Sequence, residues 1–186
     1  MDKNSGKKFE MSLIAAGFGG QGLMVLGQLV AYTGIEEGRY VSWIPSYGPE
    51  MRGGTANCCV IVSSEEIGAP VVSEADVIVV MNQPSFDKFK NDVRQNGILL
   101  YNSDLVKAGG TRSDIRLIAV PANTIALAEG SEKVANIAML GAVVAASGIV
   151  SDRDCVEVLK EKLGKKKPEF LPMNLSIYEK GKALVA

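Results

Sequence analysis

An apolar run that stops abruptly in glycine, and resumes at once as a helix, constrains this chain more than any other stretch. Residues 12–22 read Ser-Leu-Ile-Ala-Ala-Gly-Phe-Gly-Gly-Gln-Gly, and Leu23 to Ala31 continue with helix-forming, mostly apolar residues. A strand, a glycine turn and a helix place backbone N–H groups and a helix N-terminus around a bound anion. Gly17, Gly19 and Gly22 have the G-x-G-x-x-G spacing of dinucleotide-binding turns. The plainer reading is that the glycines allow close helix–strand packing.

One part of the dinucleotide pattern is missing. A nicotinamide-dinucleotide site uses an acidic residue at the end of the second strand to bind the ribose. Here the second strand is predicted over Tyr40-Val41-Ser42-Trp43-Ile44, ended by Pro45, and no Asp or Glu lies between Glu37 and Glu50. Gln21 stands where that pattern is indifferent, so its presence needs another reason. An anion other than a dinucleotide fits the turn better.

Much chemistry is excluded by composition. The chain of 186 residues has no histidine, which removes His-based triads and His metal ligands. It has three cysteines, Cys58, Cys59 and Cys155, and no Cys-x-x-Cys. That argues against a disulfide framework, a zinc ribbon or an iron–sulfur cluster held by this chain alone. Reduced thiols and a cytoplasmic location are the expectation. A net charge of −1 argues against nucleic acid or an anionic membrane as partner. No apolar run approaches the roughly 20 residues of a membrane span. With 47% hydrophobic residues the chain can bury a core as one domain. Residues 1–10 are expected to be a frayed tail and 11–186 the domain.

Along the chain, strands are predicted over 12–17, 40–44, 55–62, 77–81, 98–101 and 115–120. Helices are predicted over 21–36, from Asn82-Gln83-Pro84-Ser85 to about Asn96, from Pro121-Ala122-Asn123 to about Glu129, from Lys133 to Ala146, from a Ser151 cap to Leu163, and within 168–186. Strands alternate with helices over the first 130 residues. The fold class is therefore α/β, Rossmann-like, with a mostly parallel sheet flanked by helices and a helical C-terminal third. Lys165-Lys166-Lys167 reads as a solvated basic loop.

A second constellation lies at 46–54, Ser-Tyr-Gly-Pro-Glu-Met-Arg-Gly-Gly. Three glycines and a proline in nine residues exclude regular structure. In a βαβ arrangement the end of strand two lies beside the end of strand one, so this loop is expected over the glycine turn. Ser46, Tyr47, Gly48, Glu50, Arg52 and Gly53 bring hydroxyls, backbone N–H groups, a carboxylate and a guanidinium. Arg52 could fork onto a phosphate or carboxylate; alternatively it pairs locally with Glu50. Asn82 and Gln83 reach the same edge. Asn136, polar within an apolar helix, makes either a core hydrogen bond or a contact with the cleft or a partner chain.

Taken together, Gly-Phe-Gly-Gly-Gln-Gly (17–22), the 46–54 loop and Asn136-Ile-Ala-Met-Leu-Gly141 resemble the gamma subunit of the 2-oxoacid:ferredoxin oxidoreductases. The resemblance runs from about Met11 to the C-terminus. Its loop wording is closer to the 2-oxoglutarate and branched-chain members than to the pyruvate members, and indolepyruvate oxidoreductase is a close relative. The resemblance implies a Rossmann-like subunit of a complex that decarboxylates a 2-oxoacid, forms an acyl-CoA and reduces ferredoxin. It implies alpha, beta and sometimes delta partners, which hold thiamine diphosphate, magnesium and iron–sulfur clusters. The gamma chain itself is implicated in holding coenzyme A. Carried over, Gly17, Gly19, Gly20, Gln21 and Gly22, the loop through Arg52 and Gly53, and Asn136 become candidates for coenzyme A or for the subunit interface. No catalytic or metal-binding residue is expected on this chain, which should be inactive alone and could form a homodimer. An indolepyruvate oxidoreductase subunit, or a purely structural interaction subunit without a ligand, is the alternative.

Overall fold

The computed structural model describes residues 8–47, 55–110, 112–165 and 167–185. Six strands form one sheet: β1 (Glu10–Phe18), β2 (Tyr40–Tyr47), β3 (Thr55–Ser63), β4 (Ala75–Val80), β5 (Val93–Asn102) and β6 (Arg116–Val120), in the order β2-β3-β1-β4-β5-β6. β1, β4, β5 and β6 run parallel, and β3 is antiparallel to both β1 and β2. Five strands therefore point one way, as the alternating pattern predicts. One detail of the expected topology is corrected. β2 does not lie beside β1, because β3 returns antiparallel between them, pairing Tyr47 with Ala56 on one side and Phe18 with Thr55 on the other.

Alternation along β1 sends Leu13 and Ala15 to one face and Ile14 and Ala16 to the other, and all four are buried. The first face packs under α1 (Leu23–Glu36) and α4 (Ala135–Ser147). The second is covered over β4 and β5 by the short α2 (Gln83–Phe89), whose Phe86 and Phe89 fill it. α3 (Ala122–Ala128), α5 (Asp152–Leu159) and α6 (Leu171–Ala183) form the outer layer on the first side. Every residue of α4 from Ala135 to Val144 is buried, because the helix lies between the sheet and α6.

Three sequence-based boundaries move. The helix expected to reach Asn96 stops at Phe89, and Val93 already pairs with Ala75 as strand. Val93 is fully buried, so core pairing overrides local helix preference there. The irregular register that follows places Asn96 at φ 62, and Gly97 sits where a Cβ would meet the Asp76 carbonyl at 2.9 Å. Pro45 does not end β2, because an edge strand tolerates a residue without an N–H. The α5 helix, capped by Ser151 as expected, ends at Leu159 and widens into a π-helical turn over Lys160–Gly164. Glu10 opens β1, with Phe9 bonded to Ser64 just before it. Among the described residues no helix is long and apolar enough to cross a membrane.

α4 and α6 touch through glycine. A Cβ on Gly141 would collide with the Tyr178 carbonyl, and one on Gly181 with the Ala138 carbonyl. Backbone cannot yield as a side chain can. Gly181→Ala is therefore expected to cost about 2–3 kcal/mol, which for a chain of this size is a Tm lower by roughly 5–10 °C in a calorimetric scan. The adjacent thiols Cys58 and Cys59 point to opposite faces and stay free, and Cys58 and Cys155 are buried. Burial pushes the Cys58 thiol up to about 12 and the Cys155 thiol up to about 11. The unfolded chain loses these protons first, near about pH 8.5. Stability is thus fully present below that pH and falls as pH rises toward the folded values. Urea midpoints should decline between about pH 9 and 11, and a Cys58→Ala, Cys155→Ala variant should show a shallower slope there.

Candidate functional site at the glycine turn

Phe18 to Gln21 forms a tight turn at the C-terminal edge of the parallel strands, with the Gln21 N–H donating to the Phe18 carbonyl at 3.2 Å. Gly20 sits at φ 97 and Gly22 at φ 76, where L side chains are strained. Gly22 caps α1. Among the described residues, neither a side-chain cap nor an acidic residue occupies the first turn of α1, so the Leu23, Met24 and Val25 amides find no acceptor there. Gly19 and Gly20 are exposed. The turn and the helix start thus present positive backbone density without a competing carboxylate.

Three side chains brace this turn from behind. Gln21 Oε1 accepts from the Phe18 N–H at 2.7 Å and from Asn82 Nδ2 at 3.3 Å, while Gln21 Nε2 donates to the Met81 carbonyl at 3.1 Å. This is the reason for a glutamine at that position. Gly17 leaves room for it, since a Cβ there would lie 2.5 Å from Gln21 Oε1. Asn82 is buried, and its Oδ1 also accepts from the Ser85 N–H at 2.9 Å to cap α2. Asn136 Nδ2 donates to the Gly22 carbonyl at 3.1 Å, and a Cβ on Gly22 would overlap the Asn136 amide. Asn136 thus makes a core hydrogen bond, and it makes it to the turn itself.

The structure brings Gly17, Gly19, Gly20, Gln21, Gly22 and Asn136 together. Ser46 is exposed on β2, and Tyr47 is the last residue of that strand. Gly48, Glu50, Arg52 and Gly53 lie outside the described residues. The two ends of their segment are fixed at the edge that carries the turn, because Thr55 pairs with Phe18 and Tyr47 with Ala56. It is β3, not adjacency of β2 to β1, that delivers them there. Asn82, expected at this edge from its place after β4, braces the turn and caps α2, whereas Gln83 turns instead to the Lys107 N–H. Farther along the same edge, Asn102 donates to Asn123, and Asp104 accepts from the Thr124 N–H and hydroxyl, a polar cluster that no motif announced.

Residues 12–184 match the pyruvate ferredoxin/flavodoxin oxidoreductase family. The chain belongs to that family. Ketoisovalerate oxidoreductase subunit VorA of Methanothermobacter thermautotrophicus is 40% identical over 172 residues, which is 92% of this chain and 36% of VorA. The chain thus spans about a third of that relative's length. The gamma subunit of keto/oxoacid ferredoxin oxidoreductase from Geobacter sulfurreducens superposes with a TM-score of 0.84 at 29% identity, covering 95% of this chain and 97% of that one. Within the family the chain is of this gamma type. A 2-oxoglutarate:ferredoxin oxidoreductase from Magnetococcus marinus, with 2-oxoglutarate, coenzyme A and succinyl-CoA bound, gives a TM-score of 0.87 at 27% identity over 97% of this chain and 31% of that one.

For this gamma-type chain the brace is testable through stability. Gln21→Leu removes partners from Phe18, Met81 and Asn82 and is expected to cost about 1–3 kcal/mol in urea unfolding. Gly22→Ala combines left-handed strain with overlap on Asn136. In an Asn136→Ala background only the strain remains, so a double-mutant cycle should give a favourable coupling of about 1 kcal/mol.

Proposed function

We propose that this chain is the gamma component of a 2-oxoacid:ferredoxin oxidoreductase, and that the glycine turn with the 46–54 segment contacts the phosphates of coenzyme A. The reaction releases CO2 from the 2-oxoacid, joins the acyl group to the coenzyme A sulfur and sends two electrons to ferredoxin. The observation that carries the reading is the uncapped start of α1, held rigid by Gln21, Asn82 and Asn136 beside the exposed Gly19 and Gly20. A phosphate suits that place through backbone amides and the helix dipole, with no ribose-binding acid required.

The remaining chemistry belongs on alpha, beta and, where present, delta chains. Cys58 and Cys59 point to opposite faces, Cys155 lies on α5, and among the described residues no group of three metal-ligating side chains converges. That donor set does not fit an iron–sulfur cluster, which needs four converging thiolates. The sequence offers no Gly-Asp-Gly followed by paired asparagines for thiamine diphosphate and magnesium. Similarity to VorA supports a branched-chain 2-oxoacid as substrate, and likeness to the Magnetococcus enzyme supports 2-oxoglutarate as the alternative.

A second reading, scaffolding alone, is favoured by the fact that Gln21 directs its polar atoms inward. Reconstitution of the complex separates the two. Without this chain, acyl-CoA formation should be lost. With Arg52→Ala, assembly should persist while KM for coenzyme A rises about tenfold, the scale of one charge-assisted phosphate contact. Full activity without the chain, or an assembled Arg52→Ala complex whose KM for coenzyme A is unchanged, would sink the coenzyme A reading.

A further inference from the structure

A cavity of about 520 Å³ lies between the segment that leads into α4, the end of α5 and the start of α6. It falls within the range of small-molecule pockets. Its origin is local. The π-helical turn over Lys160–Gly164 widens the end of α5, and the chain re-enters α6 through a 3-10 turn over Pro168–Phe170. The two irregular turns leave space that a continuous helix would have closed.

The chemistry of the walls is mixed in a specific way. Val134, Leu163 and Met173 make an apolar body. Asn174 forms part of the wall, is only 6% exposed, and among the described residues its Oδ1 has no hydrogen-bond partner. A buried amide oxygen of that kind is costly unless something donates to it. Lys133 and Lys167 also line the cavity, are exposed, and form no ion pair among the described residues. Lys167 Nζ stands 5.6 Å from the Phe170 ring, so cation and aromatic face are presented together.

We propose that this cavity is a second small-molecule site, separate from the glycine turn, for an aromatic carboxylate that also carries an N–H donor. The ring lies against Val134, Leu163 and Met173, the N–H reaches Asn174, and the carboxylate meets Lys133 and Lys167. None of these residues belongs to the turn or its brace, so the site does not depend on coenzyme A binding there.

The test uses the full chain and 8-anilinonaphthalene-1-sulfonate, an aromatic anion with an N–H. Its fluorescence should rise saturably with one molecule bound per chain, and indole-3-acetate should displace it. Lys133→Ala with Lys167→Ala should weaken binding about tenfold, as two surface charge contacts allow, while Lys165→Ala should leave it unchanged. Met173→Trp narrows the cavity and should weaken binding. Asn174→Leu, equal in size, serves as the second variant and should weaken binding at least fivefold with an unchanged circular dichroism spectrum. Binding that does not saturate, that survives both the lysine pair and Asn174→Leu, or that coenzyme A displaces, would overturn the proposal.

Discussion

Gln21 can reach Phe18, Met81 and Asn82 at once only because Gly17 has no Cβ. That single allowance ties together the end of β1, the end of β4 and the starts of α1 and α2. These are the elements around which the parallel part of the sheet is wound. Two polar side chains, Asn82 and Asn136, are buried at this junction, and each has a backbone partner. Satisfied polar groups of this kind fix a geometry that apolar packing alone would leave adjustable. The turn is therefore rigid from below while its upper side, Gly19 and Gly20, stays open to solvent.

Packing around that junction is unequal. On one face α1 and α4 cover the sheet and α6 locks α4 through the Gly141 and Gly181 contacts. On the other face the short α2 covers β4 and β5, while Ile44 of the edge strand β2 is 39% exposed and Cys59 of β3 is half-buried. Hydrophobic stabilisation scales with buried apolar area, so the α4–α6 side dominates the core. The β2 edge, carrying Pro45, is a poor template for further strand pairing.

Much of this was legible in the residues. The apolar runs of β1 and β4 announced strands covered on both faces, and the glycine spacing announced the turn. Asn82 and Ser151 marked helix starts correctly. The site was half legible. Glycine positions follow from backbone conformation, which a motif can encode. The partners of Gln21 and Asn136 lie far along the chain, at Met81, Asn82 and Gly22, and no local pattern names them.

The sequence alone determined the alternation of strands and helices, the left-handed turn that only glycine adopts cheaply, and the lack of histidine and of cluster-spaced cysteines. Those are local or compositional properties, fixed by backbone sterics and by which atoms are present. Tertiary structure decided the rest. It inserted β3 between β1 and β2, turned residues 93–96 from helix to strand because Val93 is worth more in the core, and carried β2 past Pro45 because the strand lies at an edge. It also gave Gln21 and Asn136 their partners. Each of these outcomes depends on contacts between residues distant in sequence, whose free energy exceeds the small local preferences that a sequence displays.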